Sequence, residues 1–205
     1  MSADRGSVGG RPRAFDEDRA LDAAIDVFWR LGYEGASLAE LTLAMGINKP
    51  SLYLVFGNKE ELFIRALQRY GLSAHENLET VLARPSAYQV LESYLRATVE
   101  AATGPGHAPG CLSIQGGLAC GPNNARIPQL LADYRQGLED AVAKALAKTE
   151  DASRSVDGID PAALAGYTVT VAQGLAVHAA GGVPRARLDA IVDVTLAGLA
   201  GLLRH

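Results

Sequence analysis

The chain has 205 residues, 48% of them hydrophobic and 20% charged, with a formal net charge of −4. That composition excludes intrinsic disorder over most of the length and supplies a core for one large domain or two small ones. Two cysteines exclude a disulfide scaffold and make a reducing, cytosolic setting the default, while the acidic balance argues against nucleic acid, whose binders usually carry a basic domain.

Met1 to Gly10 contains no apolar run and is therefore not read as a secretory signal. Residues 1–14, rich in Gly, Ser and Arg without periodicity, read as a flexible arm. Helical spacing begins with Ala20, Ala24, Val27, Phe28 and Leu31, with Asp16 to Asp18 as first-turn acids and Gly32 as the stop. Ser37 to Glu40 is a Ser-x-x-Glu capping box that opens a short helix at Leu38, broken at Gly46. Asn48 caps a third helix with Pro50 in its first turn, ending at Gly57. Asn58 to Glu61 repeats the capping logic and opens a fourth, with Leu62, Ala66 and Tyr70 on one face.

Pro85 opens a fifth helix, whose Tyr88, Leu91, Leu95, Thr98 and Ala102 share a face. Thr103 to Gly110, with three glycines and two prolines, reads as a loop. Residues 111–120 make a short helix closed by Gly121-Pro122. A long helix runs from about Asn124 to Lys148, with Leu130, Leu131, Tyr134, Leu138, Val142 and Leu146 inward. After the polar segment 150–159, Asp160-Pro161 starts an uncharged helix, and Pro184 starts the last one, to about Leu203. The fold class is all-α with about nine helices: an N-terminal helix-turn-helix unit and a larger helical body.

Pro161 to Val183 lacks Asp, Glu, Lys and Arg and is long enough to cross a bilayer. Its large aliphatics are few, and Gln173 and His178 interrupt it, so no membrane span is expected. Ala162, Gly166, Thr170 and Gly174 lay a small-residue stripe along one face, suited to a buried core helix or to a tight subunit interface.

The most informative stretch is Ser37 to Leu62. Two short capped helices separated by Gly46-Ile47-Asn48 form a helix-turn-helix pattern. Leu38, Leu41 and Ala44 are expected inward, Ile47 fills the turn, and Leu52 and Phe56 pin the second helix. Lys49, Ser51 and Tyr53 then face outward as hydrogen-bond donors suited to phosphate and base acceptors. Residues 1–60 hold seven Lys or Arg against nine Asp or Glu. Five of those acids lie in the first helix, Arg5, Arg11 and Arg13 in the arm, and Lys49, Tyr53 and Lys59 are expected exposed at the reading head. Local sign outweighs net charge here, because salt screens exposed charges beyond roughly 8 Å.

The segments Leu38-Ala39-Glu40-Leu41, Met45 to Tyr53 and Phe56 to Leu62, with Ala24, Phe28, Gly32-Tyr33 and Ser37, resemble the DNA-binding domain of TetR-family transcriptional regulators over residues 15–70. The resemblance implies a DNA-binding domain over 15–60 and an effector-binding and dimerisation domain over 61–205. It implies a double-stranded DNA operator, a small-molecule effector and a homodimer as partners, with no cofactor, and a recognition helix from Asn48 to Val55. Lys49 and Ser51 match base or phosphate contacts, Tyr53 a phosphate contact, and Lys59 the lysine opening the fourth helix, where the dipole also favours an anion. Asn48 is a further DNA-contact candidate, and Ser37 and Thr42 are lesser ones.

By the same resemblance the last two helices form the dimer surface, through Ala162, Gly166, Thr170 and Gly174 and through Ala190, Val194, Ala197 and Gly201. Helices between about 60 and 180 enclose the effector pocket, for which Tyr88, Tyr94, Thr98, Gln115, Tyr134 and Gln173 are polar-tipped candidates and Cys111 is a further one. Cys111 follows the Pro109-Gly110 break at an expected helix start, where a dipole favours thiolate. Some family members that respond to electrophiles or oxidants carry a similar Gly-Cys, which makes redox sensing an alternative. A DNA-binding protein without an effector is another. An enzyme is not expected: there is no Gly-rich phosphate loop, no His-Glu-x-x-His, and the histidines at 75, 107, 178 and 205 are too scattered for a metal site.

Overall fold

Asp16 begins the first helix by accepting the Arg19 amide at 3.1 Å, which satisfies one of the amides that a helix start leaves open. The computed structural model describes residues 16–149 and 160–203. The arm expected over 1–14, with its three arginines, and the polar segment 150–159 lie outside the described residues.

Helix α1 (Glu17–Gly35) does not stop at Gly32 as expected. It kinks there, at φ +68°, and adds a last turn to Gly35. Leu31, the last residue of that apolar spacing, lies just before the kink and stays 41% exposed. Helices α2 (Leu38–Met45), α3 (Lys49–Phe56) and α4 (Lys59–Leu82) begin at Ser37, Asn48 and Asn58, each of which caps through its side chain. Both expected capping boxes are complete: Ser37 and Glu40 exchange bonds at 2.9 and 3.1 Å, Asn58 and Glu61 at 2.8 and 2.9 Å. Gly46 closes α2 in the left-handed region, at φ +66°. The inward face of α2 is Leu38, Leu41 and Met45, a spacing of three and four, so Ala44 points to solvent instead of inward.

Helix α5 (Ala87–Thr103) is capped by Ser86, with Pro85 outside it. The helix expected over 111–120 is a single turn, α6 (Leu112–Gln115). Gly116, Gly117 and Gly121 follow it, and glycine propagates a helix poorly. A 3-10 turn (Pro122–Asn124) leads into α7 (Arg126–Leu146), then α8 (Pro161–Ala180), capped by Asp160, and α9 (Arg185–Leu202), for which Pro184 is the cap. The described residues thus form nine α-helices and no strand, and none is long and apolar enough to cross a membrane.

Two cores result. The first gathers α1, α2, α3 and the start of α4 around Phe28 and Phe63, whose rings meet edge to face at 4.9 Å, with Leu41, Leu52 and Leu62 fully buried. Leu112, Ile127 and Leu131, from far along the chain, complete it. The second packs α5 against α8 and α9 through side chains such as Leu91, Leu95, Val169 and Leu188. Helix α4 serves both, with Leu62, Phe63 and Ala66 in the first and Leu78 and Leu82 in the second. Phe63→Ala is expected to cost about 3–5 kcal/mol in urea unfolding. A loss under about 1 kcal/mol would remove Phe63 from the centre of this core.

Candidate functional site

The helix-turn-helix face is built on α2 and α3. Leu52 and Phe56 are buried and fix the roll of α3, which turns Lys49 and Tyr53, one helical turn apart, to solvent on a shared face. Tyr53 is 47% exposed, and neither side chain has a hydrogen bond or ion pair among the described residues. Ser51 is half-buried beside them. Asn48 is committed to its cap, its Oδ1 accepting the Ser51 amide at 2.8 Å. Ser37 Oγ accepts the Glu40 amide, which leaves its proton free to donate. Thr42 spends its proton on the Leu38 carbonyl at 2.8 Å, so a phosphate, which only accepts, would have to displace that bond.

Lys59 departs from expectation. It is half-buried, and its ammonium lies 4.6 Å from the centre of the Tyr33 ring. Burial holds its pKa below the usual lysine value, against the opposing pull of Glu34. The start of α4 is occupied as well, since Glu60 and Glu61 sit in its first turn.

The acids of α1 are largely paired. Arg65 meets Glu17 at 2.7 Å, and Arg69 meets Asp18 at 2.9 Å and Asp22 at 2.5 Å. Arg65 also donates to the Val55 carbonyl at 2.9 Å and stacks over Phe56 at 4.7 Å, so one side chain ties the end of α3 to α4 and α1. Sequence reading missed this positioning role, because charge counted only to residue 60 leaves Arg65 and Arg69 out.

A cavity of about 200 Å³ lies between α4, α5, α7 and α8, next to α6. Of the predicted pocket residues, Tyr94, Thr98, Cys111, Tyr134 and Gln173 line it. Tyr88 does not: it stands six residues before Tyr94, on another face of α5, and packs half-buried against the second core. Gln115 does not either, because its Oε1 accepts the Trp29 indole N–H at 3.1 Å and the Cys111 amide at 2.9 Å. Tyr70 was missed as a lining residue, although its place on the inner face of α4 was a readable signal. Cys111 Sγ lies 3.4 Å from Tyr70 Oη and 3.1 Å from Ser113 Oγ. Both cysteines are free thiols, and α6 is too short for the dipole argument made for Cys111. Among the described residues no group of His, Cys, Asp and Glu is placed to hold a metal ion.

The loop and turn around α6 join this cavity to the reading head. The kink at Gly32 lets the Tyr33 amide donate to the Gly116 carbonyl at 2.6 Å, next to the Trp29–Gln115 bond. Glu34 accepts the Gly121 amide at 2.8 Å and the Asn124 amide at 2.9 Å, which hold its pKa below the usual carboxylate value. Arg126 pairs with Glu60 at 2.7 Å. On the far side, the expected dimer residues are uncovered in the single chain. Ala162, Thr170, Ala190, Val194, Ala197 and Gly201 are exposed, Val194 by 75%, while Gly166 and Gly174 are half-buried.

Residues 20–66 match the family model for bacterial regulatory proteins of the tetR family. The chain is similar to the HTH-type transcriptional repressor ComR of Escherichia coli (strain K12), at 31% identity over 189 residues, covering 91% of this chain and 90% of that one. It is also similar to a solved structure of a cysteine mutant of the TetR family transcriptional regulator CifR complexed with 26-bp double-strand operator DNA. That likeness has 39% identity and a TM-score of 0.86, and covers 91% of this chain and 98% of that chain.

Two outcomes test this geometry. Tyr53→Phe is expected to weaken binding to duplex DNA by about 2–10-fold, the worth of one hydrogen bond, with helicity unchanged in circular dichroism. The contribution of Glu34, whose pKa is lowered on folding, is present above the usual carboxylate value and lost as pH falls through its folded value. Glu34→Gln is therefore expected to flatten the fall in stability below about pH 4, read by urea midpoints across pH.

Proposed function

The chain belongs to the TetR family of transcriptional regulators, and from that premise we propose that it is a homodimeric repressor, bound to a palindromic operator and released by a small molecule entering the cavity beside α6. The observation that carries this reading is the joint between cavity and reading head. Cys111 and Ser113 line the cavity, while Gln115 and Gly116, two and three residues beyond Ser113, hydrogen-bond to Trp29 and Tyr33 of α1. A ligand that moves the 111–117 segment acts on the helix against which α2 and α4 pack. Because such coupling is reciprocal, operator must weaken the ligand by the same factor.

Repression is supported by the name of the E. coli relative, and operator binding by the CifR complex. A dimer is supported by the uncovered small-residue faces of α8 and α9, since one helix-turn-helix reads one half-site and a pair gains affinity by engaging two. The cavity favours a ligand-responsive protein over one that binds DNA without an effector. A second reading, sensing of electrophiles or oxidants by Cys111, is favoured by the position of that free thiol on the cavity wall. It predicts that Cys111→Ser abolishes release by N-ethylmaleimide, with operator affinity unchanged.

Selection from a random duplex pool tests the main reading. Two inverted half-sites about one helical turn apart, or a multiple of it, are expected. A single asymmetric site, or no enrichment, would contradict it. Val194→Glu is expected to convert a dimer into a monomer in light scattering and to weaken operator binding at least tenfold. With so few cations per reading head, the log–log salt slope is expected to be shallower than about −8.

A further inference from the structure

The walls of the cavity describe the molecule that fits it. Its volume of about 200 Å³ somewhat exceeds the roughly 150 Å³ in which an apolar cavity holds benzene, which sets the size near one ring with a short substituent. Leu78, Val81, Ile114 and Leu138 supply an apolar bed. Among the described lining residues there is no Asp, Glu, Lys, Arg or His, so a carboxylate or ammonium would lose its hydration and gain no counter-ion.

The hydroxyl and thiol groups on the walls divide into committed and open ones. Thr98 spends its hydroxyl proton on the Tyr94 carbonyl at 2.9 Å. Ser113 is bonded to Cys111, and Cys111 also to Tyr70. Tyr94 is only 7% exposed, and its hydroxyl has no hydrogen-bond partner among the described residues. The Tyr134 hydroxyl likewise has none, and both phenols border the same cavity. Burial pushes both well above the usual tyrosine value, so each keeps its proton and can donate. An acceptor oxygen with two lone pairs, seated in the same cavity, can take a proton from either donor.

We propose that the cavity takes an uncharged molecule of about one-ring size, with an apolar body and an acceptor oxygen bound by the hydroxyls of Tyr94 and Tyr134. The proposal rests on the reading of the cavity as the effector site. Acetophenone, toluene, benzoate and benzylammonium, titrated against the full chain by saturation-transfer NMR, serve as matched probes of oxygen and charge. Acetophenone is expected to bind saturably, toluene more weakly, and the two ions not at all. Tyr94→Phe and Tyr134→Phe should each weaken acetophenone by about 2–10-fold, as loss of one hydrogen bond does, and leave toluene unchanged.

The proposal is overturned if benzoate or benzylammonium binds as tightly as acetophenone, if no probe binds, or if both folded variants hold acetophenone with wild-type affinity. Should Tyr94→Phe fail to fold, Tyr134→Phe alone decides between the last outcome and the expected one. Operator affinity measured alongside separates the two readings. Acetophenone bound in the expected way, with operator affinity unchanged, upholds the chemistry of the cavity and removes its role in release.

Discussion

Much of this structure depends on one backbone feature, the kink of α1 at Gly32. A positive φ is cheap only for glycine, and here it turns the last turn of α1 so that the Tyr33 amide meets the Gly116 carbonyl. A Cβ at position 32 would lie 3.2 Å from the Gln115 carbonyl oxygen, so a side chain would strain the backbone and press on the joint together. Around that bond the Trp29–Gln115 contact, the Glu34 bonds to residues 121 and 124, and the Arg126–Glu60 pair fasten the 111–126 stretch to the first core. The reading head is therefore not a separate bead, since Leu112, Ile127 and Leu131 are part of its core.

Charge follows the same economy of position. A net −4 suggests repulsion from DNA, and the acids of α1 look like its cause. Their carboxylates instead clamp α1 to α4 through Arg65 and Arg69, and Arg65 goes on to hold the end of α3. Exposed ion pairs contribute little stability singly. Their value here is geometric: they fix the helix that carries Lys49 and Tyr53 relative to the helix that reaches the cavity.

Local structure was largely legible in the sequence, because caps and breakers are local physics. Ser37-Glu40, Asn48, Asn58-Glu61, Gly46 and Asp160 act where their chemistry says they should. The errors arose where distant groups decide. Lys59 reads as a free charge until Tyr33 is seen beneath it, and Gln115 reads as a pocket residue until Trp29 claims its oxygen. Ala44 failed for a simpler reason, a helix face read one position out of phase, and Tyr88 lies too near the start of α5 to reach a cavity that borders residues 94–102. The candidate cavity was half legible: Tyr94, Thr98 and Tyr134 stood out as polar tips in apolar helices, but their convergence depends on how α5 and α7 pack, which periodicity does not encode.

The proposed coupling of reading head and cavity runs through the bond between Tyr33 and Gly116. Hydrogen–deuterium exchange of the full chain, with and without its selected operator duplex, tests it most directly. Changed amide protection is expected in α2 and α3 and, with them, in Tyr33 and residues 111–117. Changes confined to α2, α3 and their immediate neighbours, with 111–117 exchanging as in the free protein, would contradict it.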